Sequence, residues 1–500
     1  MLAVSPAHED TMPTPPPEQT PPPRSWLRSE DTLAVFLGLL VVGLSLGVLA
    51  GGDLLGWVVS TSVWLDPGKI LSPTSKGYPW LSGVGSLGLT LVFLLLVLTA
   101  GAKFLGVPPL RFAVRFIIVF ALAFGCWAAG NFAYIAATPD KRSAFGIPWS
   151  LGLTGEAGYL LALLGGLFIG NFLPGVAAWL KEAARSELYI KAAVVVLGAG
   201  LGVKAAGAQG LASVILFRGL AAIVEAYLIY WAVVYFIARK YFGFSREWAA
   251  PLASGISICG VSAAITTGAA VRARPVVPIM VSSLVVVFSV VEMLILPPLA
   301  STFLADEPMV AAAWMGLAVK TDGAAVASGA VTESLIYTRA AESGHDYAPG
   351  WMVMTTTTVK VFIDLFIGVW AVILAAIWSW KIEPRADRRL PLHEIWQRFP
   401  KFVFGYALTF GVFLAIGLSD PILVPALQRG TGQGDVIRQL FFVLTFFSIG
   451  LAANLRRLWA EGLGRLALVY VVSLFGFVIW VGLAISWLFF HGVMPPAAKG

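Results

Sequence analysis

A run of small and hydroxyl residues lies in the middle of an apolar segment at residues 249–275. Its centre holds five candidate binding residues, namely Ser254, Ser257, Cys259, Gly260 and Ser262. Residues of these types weaken a helix and let a ligand approach the backbone closely. In hydrocarbon, loosened backbone is tolerated only where it is buried in protein or lines a cavity. The run therefore predicts either a broken membrane helix that binds a substrate or a helix that packs closely through small residues.

A second polar group lies at the middle of the apolar segment 309–331. Lys320 and Asp322 flank Thr321 there, and Gly323 follows at once. Ionisable residues are costly inside a membrane and indicate a functional site by default. The pattern predicts a second helix break.

The next apolar segment carries Lys360 and Asp364, four residues apart and so on one face of a helix. Two lysines at membrane depth, together with half-helix N-termini that carry partial positive charge, are the parts of an anion site. Asp322 and Asp364 would either hold the lysines or bind a coupling cation. The alternative is that each lysine forms an internal salt bridge with its nearby aspartate and that no ligand binds.

The composition assigns these segments to a membrane. The chain is 58% hydrophobic and only 12% charged, and its mean hydropathy is +0.84, which no soluble domain of this length shows. The net charge of +7 does not indicate a nucleic-acid partner, because most basic residues lie in short loops or at span ends. We expect no cofactor and no metal site, since both cysteines fall within spans and all four histidines fall outside them.

Hydropathy predicts an all-α polytopic membrane protein with about 13 transmembrane helices. The predicted spans lie near 32–50, 85–106, 113–137, 157–176, 189–206, 211–237, 248–271, 276–300, 309–331, 351–380, 402–418, 436–454 and 467–490. The sixth span carries Arg218 and Glu225 on one face, which we interpret as a structural ion pair or an attachment to a neighbouring helix. Glu292, in the eighth, is interpreted as lying near the interface.

The chain divides into four predicted regions. Residues 1–30 form a disordered, proline-rich tail, residues 31–150 add N-terminal transmembrane helices, residues 151–490 form a transporter core, and residues 491–500 form a C-terminal tail. With a cytoplasmic N-terminus, 20 of the 34 Lys and Arg residues lie inside and 11 lie outside. This bias favours that orientation.

Residues 257–264, Ser-Ile-Cys-Gly-Val-Ser-Ala-Ala, strongly resemble the Ser-Ile-Cys-Gly signature of the bacterial sulfate exporter family of inner-membrane proteins. Weaker pieces at 161–171, 191–204, 316–329 and 448–451 are similar to the family in the same order. The family is grouped with cation/proton antiporters and related anion transporters. The resemblance, over residues 155–490, implies an inverted-repeat core with broken crossing helices, and a homodimer.

Three positions depart from the family pattern. The family commonly has a His-Glu pair where Lys320 and Thr321 stand, followed by a Gln where Ala324 stands. It commonly has a Lys and an Arg in the next span, where this chain has Thr357 and Lys360. Loss of a titratable pair bears directly on proton coupling and on the choice of ion.

These observations predict a secondary active transporter of a small anion, such as sulfate or a related oxyanion, in the bacterial inner membrane. Its partners would be the anion, the lipid bilayer and a coupling proton or sodium ion. One alternative is a sodium- or proton-coupled carboxylate or bicarbonate transporter. Another is an anion channel or an intramembrane enzyme subunit. We do not expect an enzyme, because no nucleophile–base pair or metal cluster stands out in the spans.

The orientation can be tested directly. A cysteine placed in the tail before Arg24, or in the basic loop 381–401, should resist a membrane-impermeant thiol reagent in intact cells, because the Lys/Arg bias puts both inside. A cysteine placed in the loop 51–82 is the exposed control. Labelling of the 381–401 cysteine from outside would overturn the predicted topology.

Overall fold

The computed structural model describes residues 29–137, 142–151, 157–207, 209–271, 273–274, 276–378, 401–453 and 464–498. Within these ranges the side chain of Ser262 lies outside the description. The predicted disordered tail and the basic loop 381–401 also fall almost wholly outside it, so both remain predictions.

Helices dominate the described chain, and a single two-stranded antiparallel hairpin lies among its first hundred residues. From the N-terminus the elements are α1 (Glu30–Ser45), β1 (Val59–Thr61), β2 (Leu71–Pro73), α2 (Gly83–Phe104), α3 (Pro109–Gly130), α4 (Ala133–Ala136), α5 (Arg142–Phe145), α6 (Ala157–Phe172), α7 (Pro174–Leu180), α8 (Ser186–Gly207), α9 (Gln209–Gly219), α10 (Ala221–Val224) and α11 (Trp231–Lys240).

The second half of the chain is also helical. Its elements are α12 (Arg246–Ser257), α13 (Val261–Ala270), α14 (Val276–Phe303), α15 (Pro308–Ala318), α16 (Asp322–Glu342), α17 (Trp351–Leu365), α18 (Ile367–Ile377), α19 (Lys401–Ser419), α20 (Val424–Ala452), α21 (Gly464–Ser473) and α22 (Ile479–Phe490). Short 3-10 or π-helical turns extend or join several of them; the π-turn Glu225–Tyr230 lies between α10 and α11.

The described helices confirm an all-α polytopic membrane protein. Among the described residues, ten helices are long and apolar enough to cross a membrane. Helices α6 and α7, bent by 118° at their junction, form an eleventh such segment if they are taken together. The two remaining predicted spans, 248–271 and 309–331, are each interrupted in the middle. The total of thirteen spans therefore remains a prediction.

Glycine lets the core helices approach closely. Gly198 of α8 faces α19, where an added Cβ would lie 2.7 Å from the carbonyl oxygen of Tyr406 and would also meet the hydroxyl of Thr409. That hydroxyl donates to Val195 O at 2.8 Å. Because backbone cannot move aside as a flexible side chain can, the contact fixes how α8 lies against α19.

The N-terminal helix α1 is attached to the core by charge as well as by apolar packing. Lys191 of α8 is buried, and its ammonium lies 2.7 Å from Asp31 of α1 and 3.2 Å from Glu187. Arg185 pairs with Glu30 at the same end of α1. The first of the additional N-terminal helices is therefore part of the packed core, where it contributes a carboxylate that a buried lysine requires.

Two glycines of α8 provide a matched test of this packing. Gly198→Ala should lower the free energy of unfolding by about 1–3 kcal/mol, because its methyl group meets backbone. Gly200→Ala should be neutral or stabilising by up to about 1 kcal/mol, since nothing lies within 4 Å of its added Cβ and alanine favours a helix. Thermal unfolding in detergent measures both. Equal melting temperatures for the two variants would contradict the assigned α8–α19 contact.

Candidate functional site

The first helix break lies where the small-residue run predicted it. Helix α12 ends at Ser257, and Ile258 leaves the helical region with φ −108° and ψ −99°. Gly260 adopts a left-handed φ of +69°, which side-chain-bearing residues avoid. Helix α13 then begins at Val261. The two half-helices thus have their free ends inside the protein.

The second break separates α15 from α16. Val319 is extended, with ψ 128°, and Thr321 is the N-cap of α16, accepting a hydrogen bond from Ala324 N at 3.3 Å. Thr321 therefore stabilises the new helix start, and its side-chain oxygen is already engaged. Asp322 is the first residue of α16, where a negative charge suits the helix dipole.

The two breaks touch each other. A Cβ added to Gly260 would lie 2.6 Å from Val285 Cγ1 of α14, 3.1 Å from Thr321 Cγ2 and 3.3 Å from the carbonyl oxygen of Lys320. The absence of a side chain at Gly260 therefore lets the first break lie against both α14 and the second break. Residues separated by about 60 positions in sequence meet here as one site, the helix crossing, which comprises residues 257–261 and 318–322.

Lys360 of α17 holds the crossing together. Its ammonium donates to Ile258 O at 2.7 Å, to Lys320 O at 3.1 Å and to Val319 O at 3.4 Å, and the residue is 2% exposed. These carbonyls belong to the C-terminal ends of α12 and α15, which carry partial negative charge. One buried cation thus compensates both half-helix ends.

Lys320 contacts a different set of partners from Lys360. Its backbone N–H donates to Glu292 Oε2 at 2.9 Å, and Tyr470 donates to the other carboxylate oxygen at 2.9 Å. Its ammonium donates to Leu317 O and lies 4.7 Å from the centroid of the Tyr230 ring, a cation–π distance. Glu292 is fully buried within the protein and bonds to the second break; its position near the membrane interface stays a prediction.

The internal salt bridges considered as an alternative do not form among the described residues. Asp322 and Asp364 instead face each other, together with Cys259; one ligand atom from each of the three lies within 4.8 Å of the others. Asp322 Oδ1 and both oxygens of Asp364 accept no hydrogen bond from a described residue. Two buried carboxylates at this separation require a shared proton or a bound cation.

The predicted serines have different surroundings. Ser254 accepts hydrogen bonds from Trp231 at 2.9 Å and from Thr267 at 2.7 Å, so it ties α12 to α11 and α13. Ser257 is fully buried at the end of α12, and its hydroxyl has no hydrogen-bond partner among the described residues. Of these two serines, Ser254 is engaged in hydrogen bonds between helices and Ser257 has a hydroxyl without a described partner.

The sixth span differs from its sequence interpretation in one part. Arg218 donates to Phe489 O at 2.6 Å, which agrees with attachment to a neighbouring helix. Glu225 does not pair with it and instead lies near Lys320 and Tyr230. The sequence signal that marks Glu225 and Glu292 is their ionisable character inside a span; their grouping around Lys320 depends on tertiary contacts.

A cavity of about 950 Å³ lies between α8, α16 and α20. Its polar lining includes Lys204, Glu333, Tyr337, His345, Asp435 and Arg438. Ala330 of α16 also lines it, eight residues after Asp322, so about 12 Å of helix separates the two. In the predicted orientation the cavity opens to the outside, since residues 343–350 belong to an outer loop.

Fold and site together define a multi-pass α-helical membrane protein with a polar helix crossing inside the bilayer. Residues 153–470 match the family described as conserved hypothetical protein 698. A UPF0324 membrane protein of Nitrosomonas europaea is 38% identical over 475 residues, which are 94% of this chain and 97% of that protein. The chain therefore belongs to this family of UPF0324 membrane proteins.

Two further relatives match over shorter regions. An uncharacterized protein of Archaeoglobus fulgidus is 47% identical over 171 residues, 30% of this chain and 91% of that protein. A UPF0324 membrane protein of Nitratidesulfovibrio vulgaris is 29% identical over 421 residues, 82% of this chain and 65% of that protein. No solved structure matches the chain.

Gly260 provides the sharpest test of the crossing. Gly260→Ala should abolish ligand-induced thermal stabilisation, because its methyl group would clash with Val285 of α14 and press against Thr321 and the Lys320 carbonyl. Gly243→Ala is the matched control, since Gly243 has a similar φ of +62° and its added Cβ meets only Arg465, at 3.6 Å. Both variants carry left-handed strain, but only Gly260→Ala alters the crossing. Equal ligand responses would contradict this assignment.

Proposed function

We propose that this protein is a secondary active transporter of a small anion, with sulfate or a related oxyanion as the first candidate. The observation that carries the proposal is the meeting of two interrupted helices at Gly260 and Lys320, bridged by the ammonium of Lys360. Broken helices that meet inside a membrane are a general way for transporters to expose backbone groups to a substrate. The resemblance to sulfate exporters supports the choice of anion.

The anion would bind against the starts of α13 and α16. Both helices begin at the crossing, and the first N–H groups of any helix lack intrahelical acceptors. The free hydroxyl of Ser257 would replace part of the anion's hydration. Lys360 and Lys320 would act through their charge, because their ammonium groups donate to backbone carbonyls. Thr321 would shape the helix start rather than contact the anion.

Charge around the crossing supports coupling to a cation. Four buried carboxylates stand there against two buried lysines; the carboxylates are those of Asp322, Asp364, Glu225 and Glu292. With every group ionised the site would be negative and would repel an anion. Protons or cations must therefore enter with the anion or remain bound, and Asp322 with Asp364 is the proposed coupling site.

A sodium- or proton-coupled carboxylate or bicarbonate transporter is the second candidate. The proximity of Asp322, Asp364 and Cys259 supports it equally, because two carboxylates supply oxygen ligands to a coupling cation. Both candidates use the same crossing and differ in the anion. The proposal further places the chain in the bacterial inner membrane as a homodimer with a cytoplasmic N-terminus.

Flux into proteoliposomes tests the proposal. Purified protein should accumulate labelled sulfate, bicarbonate or a small carboxylate against its gradient when a proton or sodium gradient is imposed. The same vesicles without a gradient, and vesicles without protein, are the controls. Equilibration of every anion without accumulation, at rates far above carrier turnover, would identify a channel instead. Absence of flux for the whole panel would overturn the proposed function.

Lys360 and Arg218 form a matched pair for mutagenesis. Lys360→Gln should reduce anion flux about tenfold or more, because it removes a charged hydrogen-bond donor from both helix ends. Arg218→Gln also removes a cation from a span, but one that only attaches α9 to Phe489, and its flux should stay within about twofold of the parent. Both variants are first matched for folding by size-exclusion chromatography. Loss of flux in Arg218→Gln alone would move the site to the sixth span.

A further inference from the structure

Glu225 is a buried acid that the proposed anion site does not use. It is 0% exposed, and neither of its carboxylate oxygens accepts a hydrogen bond from a described residue. It begins the π-helical turn Glu225–Tyr230. A π-turn inserts an extra residue into a helix and is frequent at functional sites. Here it interrupts the sixth span at the point where that span carries its acid.

The surroundings of Glu225 leave room for its carboxylate. The helix opposite contributes Gly482, where an added Cβ would lie 3.6 Å from Glu225 Oε1 and 2.6 Å from the hydroxyl of Tyr230. That hydroxyl donates to Val478 O at 2.8 Å. A side chain at position 482 would therefore displace the phenol and come into contact with the acid.

Lys320 is the cation that acts electrostatically on Glu225. Its ammonium lies over the Tyr230 ring, and among the described residues it forms no ion pair with Glu225. Its one hydrogen-bond acceptor there is Leu317 O, and an ammonium has three donors. Glu292 and Lys360 act on Lys320 from the other helices around it.

Glu292 differs from Glu225 in its partners. Its two oxygens accept hydrogen bonds from Lys320 N and Tyr470, so it fixes the backbone of the second break. Neither oxygen of Glu225 accepts such a hydrogen bond from a described residue. Lys320 belongs to the extended linker between α15 and α16, so a shift of either half-helix would change its distance from Glu225.

We propose that Glu225 and Lys320 form a second proton-exchanging site, distinct from Asp322 and Asp364, which adds one proton to each transport cycle. In the unloaded form the pair holds an ammonium and a carboxylate. A proton from water on one side binds a carboxylate oxygen, the charge of the pair rises from zero to plus one, and the proton leaves to water on the other side. One O–H bond forms and later breaks, and nothing is oxidised or reduced.

The transport stage of this inference rests on the proposed function, whereas the proton site can be tested without transport. Purified parent protein should show, in pH-difference infrared spectra, a protonated-carboxyl band that Glu225→Gln lacks. Glu342→Gln, which removes an exposed acid, should retain that band. Retention of every buried-carboxyl band in Glu225→Gln would overturn the proton site.

A second variant tests the site even if Glu225→Gln does not fold. Gly482→Ala retains every titratable group, but its methyl group would displace the Tyr230 hydroxyl and lie in contact with Glu225, so it should shift the pH at which the band develops. An unshifted band in folded Gly482→Ala protein would also count against the site.

Proton coupling is then measured as a reversal potential in proteoliposomes. Glu225→Gln should carry one proton fewer per anion than the parent, and the slope of log flux against pH should fall by about one. An unchanged stoichiometry would overturn the coupling role. Absence of anion flux in the parent would instead overturn the proposed function, and the infrared result would still decide the proton site.

Discussion

The hydrogen bonds of Lys360 to two interrupted helices are the interaction on which the rest of the site depends. In hydrocarbon, a backbone carbonyl without a donor costs several kcal/mol, so a helix cannot end there unless something satisfies its last carbonyls. Lys360 donates to carbonyls of both breaks. Because one ammonium serves both, α12 and α15 must end beside each other, and the starts of α13 and α16 follow from that position.

The helix crossing depends on a glycine for its backbone conformation and on charged side chains for its hydrogen bonds. Gly260 allows the chain to turn with a left-handed φ and leaves Thr321 and Lys320 in contact with it. The lysine ammonium groups donate hydrogen bonds to the backbone carbonyls that the interrupted helices leave free. The nearby carboxylates offset the positive charge of the lysines. The arrangement has more carboxylates than lysines, so its charge balance is incomplete without protons or cations. This imbalance is the reason for proposing that the site exchanges ions.

The surrounding helices explain why such an expensive arrangement can persist. Helix α8 packs against α19 through Gly198 and receives Asp31 of α1 at Lys191. These contacts lie outside the crossing and would resist movement of α8. The cavity lies between α8, α16 and α20, and its lining includes Ala330 on the same helix as Asp322. Helix α8 therefore packs closely against α1 and α19, and it also lines the cavity.

Hydropathy, glycine content and charge inside apolar segments are local properties of the chain, so they were enough to predict the class, most of the spans, both helix breaks and the buried lysines. The contacts between these groups depend on how distant segments pack. Spacing suggested that Lys360 would pair with Asp364, yet its ammonium donates to carbonyls on two other segments. Asp364 instead faces Asp322 and Cys259, and Glu225 lies near Lys320 rather than pairing with Arg218. Helix periodicity states which residues share a face, but the partner of that face depends on how distant helices pack.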